Sequence, residues 1–233
     1  MTDLTQADLD VLKQWDTPTI CNGLEVVMPE RRAIGFTVEY LHPANVSLPP
    51  IVGYARTATY RSYEPAAMPG AEMRQMRLGY YEYVAAEPRP TVVVIQDLDP
   101  NPGYGAFWGE VNSNIHKGLG CLGCVTNGSF RDIDMLAPGF QILGGKIGPS
   151  HAHGHIVDFG GQVNIFGMTV KSGDIIHADR HGAVVVPADA VKKLPDAIDL
   201  VSRKEKVILD ACKQPGFGIE MLRKAMADQA DIH

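Results

Sequence analysis

The sequence has no apolar run long enough to cross a membrane. Stretches such as Thr91–Ile95 and Ala183–Pro187 fall far short of the roughly 20 residues a spanning helix needs. Basic charge is also scarce. Against 21 Lys and Arg stand 27 Asp and Glu, a formal charge of −6, and a general nucleic-acid binder needs a basic surface to displace counterions from phosphates. Cysteine is limited to Cys21, Cys121, Cys124 and Cys212, too few and too unevenly placed for a disulfide framework. The opening Met1-Thr2-Asp3-Leu4-Thr5 lacks the basic and apolar regions of a secretory signal. Together these absences predict a soluble, cytoplasmic protein whose partners are neither nucleic acid nor membrane. Internal repeats, charge blocks and low-complexity linkers are missing too, which favours one α/β domain over two.

What is present is an ordinary globular composition. Hydrophobic residues make up 45% of the 233, charged residues 21% and aromatics 7%, enough for a core without disulfides or structural metals. Leu4, Leu9, Leu12 and Trp15 lie near helical spacing, and Asp16-Thr17-Pro18 reads as a cap with proline just inside a second helix. After a proline-broken stretch from Pro29 to Pro50, strands are predicted at 51–60, 91–96 and 121–126, with helices within 71–86 and at about 110–117. A short helix is expected at 132–137. Glycine-punctuated strands follow at 155–159, 162–165, 168–170, 174–177 and 183–186, then one long helix over 188–212 and a last one near 219–227.

Two motifs satisfy a pattern without its context. Gly118-Leu119-Gly120-Cys121-Leu122-Gly123 matches G-x-G-x-x-G, but its glycines end a helix and enter a strand, the reverse of a dinucleotide loop. Cys121 and Cys124 form a C-x-x-C within a predicted strand, away from the helix N-terminus that activates a thiol and without a second pair for zinc. A third feature stays open. His151-Ala152-His153-Gly154-His155 could present alternate imidazoles as a chelating face, or be a surface loop whose histidines titrate in solvent.

The most informative stretch runs from Gly109-Glu110-Val111-Asn112 through a helix and a strand to Asn127-Gly128-Ser129-Phe130-Arg131-Asp132. Adjacent Arg and Asp at a strand's C-terminal end can divide two tasks: guanidinium matches a carboxylate bidentately, and a carboxylate is a hard oxygen ligand for Mg2+ or Mn2+. That pairing suits a 2-oxo acid. The plain structural reading is that Asp132 caps the helix it begins and Arg131 is an exposed ion-pair partner.

These segments, together with Ser172-Gly173-Asp174-Ile175-Ile176-His177-Ala178-Asp179-Arg180-His181-Gly182, Thr17-Pro18-Thr19-Ile20-Cys21-Asn22-Gly23-Leu24 and Gly53-Tyr54-Ala55-Arg56-Thr57-Ala58, resemble the RraA-like family. The family includes class II 4-hydroxy-4-methyl-2-oxoglutarate aldolases and regulators that bind and inhibit ribonuclease E. The resemblance implies a single swivelling β/β/α domain with its core over about 17–187 and C-terminal helices over 188–229. It also implies a homotrimer, or a dimer of trimers, with active sites between subunits. Arg131 would bind the pyruvyl carboxylate, Asp132 a divalent metal, and Glu110 the same ion through a water that could take the hydroxyl proton of the substrate. Gly109 and the amides of Val111 and Asn112 would meet the substrate carboxylate. A glutamate of a neighbouring subunit would complete the site, with Glu205 preferred to Glu220. The expected reaction is retro-aldol cleavage of a 4-hydroxy-2-oxo acid to pyruvate and a carbonyl product, with oxaloacetate decarboxylation possible because both pass through the pyruvate enolate.

The alternative is a non-enzymatic regulator of a ribonuclease. Such regulators typically lack the Asp of the Arg-Asp pair, which this chain has. A third name used for similar sequences, demethylmenaquinone methyltransferase, finds no glycine-rich strand-to-helix loop here to hold a methyl donor. The sequence departs from its relatives at Asn127, where many have Asp, at Arg180-His181-Gly182, and in the histidine-bearing region 144–155.

Overall fold

The computed structural model describes residues 4–232; Met1–Asp3, part of the stretch read above for a secretory signal, and His233 lie outside the described residues. Two short helices open it, α1 (Gln6–Leu12) and α2 (Thr17–Val27). As expected from the sequence, the Asp16 carboxylate accepts the Thr19 amide at 2.9 Å, and Pro18 occupies the first turn, where its missing N–H costs nothing.

The main sheet is mixed. Strands β2 (Ile51–Arg61), β3 (Thr91–Asp97), β5 (Cys121–Phe130) and β6 (Gln141–Ile147) run parallel to one another. β1 (His42–Pro43) closes one edge against β6. Antiparallel β10 (Ile175–Asp179) and β11 (Gly182–Val186) continue the sheet beyond the first half of β2. β7 (His155–Phe159) pairs with the second half of β2, and β4 (Ala106–Trp108) lies beside the C-terminal end of β5. A hairpin of β8 (Val163–Ile165) and β9 (Met168–Val170) forms a separate layer.

Alternation along β3 divides the core between the two faces of this curled sheet. Val92 and Val94 pack with the β8–β9 hairpin, while Val93 and Ile95 face the cluster containing Tyr80, Val84, Trp108 and Phe130. Tyr80 and Val84 belong to helix α3 (Gly70–Ala85), which joins β2 to β3; α4 (Glu110–Gly118) joins β4 to β5. A third cluster seats Leu9, Leu12, Ile20 and Leu24 of the opening helices, with Leu194 and Ile198 of α5 (Leu194–Cys212), against Ile175, Val184 and Val186. Helix α6 (Ile219–Ala230) ends the fold. This is the mixed α/β, swivelling β/β/α arrangement with flanking helices that the resemblance implied.

Two expectations need correction. The span 132–137 is not an α-helix but a single 3-10 turn, Ile133–Met135, because Asp132 adopts a left-handed backbone and diverts the chain. The predicted helix over 188–212 starts later: Val191–Lys193 form a 3-10 turn, and the α-helix begins at Leu194, next to Pro195. The strand Gln141–Ile147 was not anticipated. Its Gly144-Gly145 pair breaks the alternating pattern, yet a Cβ on Gly144 would stand 2.6 Å from the Phe130 ring. The two pattern motifs keep their structural reading. Gly120, at φ 85°, links the end of α4 to β5, and Cys121 and Cys124 are buried within β5, with burial pushing the Cys121 thiol up to about 11.

Candidate active site

The site lies where β5 ends, at the C-terminal edge of the parallel strands, the usual ligand position in such sheets. Phe130 is buried, and the Arg131 amide donates to the Trp108 carbonyl at 2.9 Å, so β4 fixes the exit of the strand. Asp132 then takes φ 54°, ψ 42°. A non-glycine residue pays about 1–2 kcal/mol for that conformation, and the turn brings its carboxylate back toward α4. Asp132 Oδ2 accepts the Glu110 amide at 3.2 Å and lies 3.3 Å from Arg131 Nε. Gly109 makes this approach feasible, because a Cβ there would stand 2.5 Å from the same carboxylate oxygen.

Asp132 therefore caps a helix, but not the one it begins: it caps α4, which precedes it in sequence. The amides of Val111 and Asn112, in the first turn of α4, have no acceptor within their own helix and can meet an anion. The Asn112 side chain is already engaged, donating to the Phe107 carbonyl at 2.6 Å and accepting from the Tyr81 hydroxyl at 3.0 Å. Beneath it, His116 is fixed between the Asn112 carbonyl (2.6 Å) and the Tyr80 hydroxyl (2.8 Å), and burial pushes it down to about 4, so it stays neutral.

A cleft of about 640 Å³ opens over these groups. Gly109, Val111, Asn112, Arg131 and Asp132 line one side of it. Arg77 of α3 and the loop His151–His155 line it as well, which no local pattern indicated. Charge in the cleft is dominated by Arg77 and Arg131 against the single Asp132 carboxylate. It is suited to a small anion.

Other sequence candidates lie elsewhere. The Glu110 side chain is exposed and does not line the cleft; its contribution within one chain is the main-chain bond to Asp132. Glu205 sits on α5 beside Glu25 and Val26 of α2, and Glu220 lies 3.8 Å from Arg223 on α6. Among the described residues no three His, Cys, Asp or Glu side chains group to hold an ion, so the chelating reading of the histidine loop is not met. Asp132 alone suits a hard cation such as Mg2+, which keeps most of its waters and needs only one or two carboxylates plus oxygens from a substrate. The departure at Asn127 has a structural reason. Its side chain accepts the Asp97 amide at 2.7 Å and donates to the Asp97 carbonyl at 3.0 Å, a clamp between β3 and β5 that an aspartate could not complete.

The fold is shared with solved proteins. An uncharacterized protein from Pseudomonas syringae pv. tomato matches with a TM-score of 0.71 at 20% identity, over 97% of this chain and 96% of its own. Streptomyces coelicolor RraAS2, described as an unusual member of the RNase ES inhibitor RraA protein family, gives 0.66 at 20% identity, over 92% and 100%. The RNA-processing inhibitor RraA from Thermus thermophilis gives 0.51 at 18% identity, over 70% and 90%. No curated protein matches significantly. The family model described as Aldolase/RraA matches residues 17–185, most of the chain, with the Arg131-Asp132 turn and the start of α4 inside the match. The chain belongs to the RraA-like family.

Proposed function

We propose that this protein is a divalent-cation-dependent lyase that cleaves a 4-hydroxy-2-oxo acid to pyruvate and a carbonyl product, and that also decarboxylates an oxaloacetate-like acid. The observation that carries this reading is the Asp132 carboxylate, held by left-handed backbone at the mouth of a cationic cleft beside Arg131 and the first turn of α4. Arg131 would bind the substrate carboxylate with charge-assisted hydrogen bonds, and the Val111 and Asn112 amides would orient the same group. Asp132 would hold Mg2+ or Mn2+, whose chemistry when bound is Lewis-acid stabilisation of the charge developing on the 2-oxo group. A ring assembly of three subunits, or two such rings, would bring Glu205 of the partner subunit to the open side of the site. In that case two inactive variants, Asp132→Ala and Glu205→Ala, should regain activity when their subunits are exchanged.

The test is pyruvate release from a panel of 4-hydroxy-2-oxo acids and oxaloacetate, measured after chelation and again after adding Mg2+ or Mn2+. Release that returns with the cation supports the lyase. Absent or cation-independent release overturns it. The other reading, a ribonuclease-binding regulator, draws on the descriptions of the Streptomyces coelicolor and Thermus thermophilis proteins. Tight association with a ribonuclease and no lyase activity would select it.

A further inference from the structure

The histidine loop is built, not loose. The Ala106 amide donates to the Ser150 carbonyl at 2.8 Å, the His153 amide to the Ser62 carbonyl at 3.0 Å, and the Gly154 amide to the His151 carbonyl at 3.0 Å. His155 begins β7, paired with Arg61 of β2. All three histidines line the cleft that holds Arg131 and Asp132.

Two of them have an assigned tautomer when neutral. His155 Nδ1 lies 2.8 Å from the His153 carbonyl oxygen, and His151 Nδ1 lies 2.8 Å from the Ala152 carbonyl oxygen. A carbonyl oxygen only accepts, so each Nδ1 carries the proton and each Nε2 keeps a lone pair. His155 is half-buried and held in a strand; His151 and His153 are exposed. A neutral imidazole with a bare Nε2, fixed in a cleft of cations, is equipped to accept a proton from a bound anion.

Resting on the lyase reading, we propose that His155 is the proton-transfer residue of the cleavage. Its Nε2 takes the proton of the C4 hydroxyl as the C3–C4 bond breaks. The O–H electron pair becomes the new carbonyl at C4, and the C3–C4 pair moves to C2–C3 to give the enolate. The imidazolium then returns its proton to C3, completing pyruvate and restoring neutral His155. No oxidant or other co-reactant is needed. Decarboxylation of oxaloacetate reaches the same enolate without removing a hydroxyl proton, so its bond-breaking step does not need this base.

The difference supplies the test. In His155→Gln, kcat for cleavage of a 4-hydroxy-2-oxo acid should fall by about 100-fold or more, with KM little changed and oxaloacetate decarboxylation largely retained. The retained decarboxylation also reports that the variant is folded. Imidazole added to His155→Ala should restore part of the cleavage rate. An active wild type whose His155→Gln variant cleaves with unchanged kcat, or loses both activities in parallel while folded, overturns this inference alone. A wild type inactive on both substrates overturns the lyase reading and this inference with it.

Discussion

Two aspartates sit at strand ends of the same sheet, Asp179 as the last residue of β10 and Asp132 two residues past the end of β5, and their surroundings differ in kind. The Asp179 side chain is 7% exposed and accepts the Thr17 amide at 3.0 Å, the His181 amide at 2.8 Å and His181 Nδ1 at 3.1 Å. Burial alone would raise its pKa, but the hydrogen bonds from His181 and Thr17 outweigh that and hold it below the usual value. Beside it His177 donates from Nε2 to the Leu12 and Trp15 carbonyls and accepts at Nδ1 from the Thr17 hydroxyl at 3.0 Å. This network ties α1 and α2 to β10. Asp132 is 24% exposed, sits on strained backbone, and has one amide and one guanidinium for company. A carboxylate with its lone pairs filled holds a fold together; one held out over a cleft with lone pairs free is available to a ligand.

The contrast can be broken at either end. Asp132→Asn, which keeps the size and can still accept the Glu110 amide, should lower kcat by about 1000-fold through lost Lewis-acid chemistry while leaving the melting temperature nearly unchanged. Loss of folding without a specific loss of turnover would assign Asp132 to the structural class. Acid should act on buried histidines in both regions, His177 in the Asp179 network and His116 beneath the first turn of α4. His177 and His116 are both held below their ordinary value by burial, His116 down to about 4. The unfolded chain therefore binds more protons below about pH 6.5. Stability is full above that pH and is lost as pH falls toward about 4, by roughly 3 kcal/mol for His116 alone. Urea titrations at pH 7 and pH 4.5 measure this, and equal midpoints would contradict it.

Smaller effects separate binding from folding. Arg131→Ala should raise KM by about 10- to 100-fold, the range for losing a charged hydrogen-bonding group, with a smaller change in kcat; steady-state kinetics on the folded variant decide it. Thr17→Val should cost about 1–2 kcal/mol by stranding the buried His177 Nδ1, with kcat unaltered. A Thr17→Val protein as stable as wild type would show that the buried network is not what secures the opening helices.

Much of this was legible from local pattern. The capped entry into α2, the buried run Thr91–Asp97 and the strand through Cys121 and Cys124 follow from caps and apolar spacing alone. The Arg131-Asp132 turn was legible as chemistry, though not as geometry: a left-handed aspartate carries no mark in sequence, and here it replaced an expected helix with a 3-10 turn. β6 was hidden because its glycines answer to Phe130 and Asn127 across the sheet, not to their own neighbours. The histidine loop was seen as a cluster, but only the pairing of β7 with β2 carries it to a cleft built from α3, α4 and the end of β5.

The central claim, that Asp132 and the start of α4 form a site for a divalent cation and a 2-oxo acid together, is tested most directly by Mn2+ binding to the intact protein. Electron paramagnetic resonance of free Mn2+ would follow a titration with and without oxalate, a stand-in for the pyruvate enolate. The account predicts that wild type binds Mn2+, that oxalate tightens the binding, and that Asp132→Asn loses both effects while remaining folded. Equal Mn2+ binding by wild type and Asp132→Asn, or no binding by either, would contradict it.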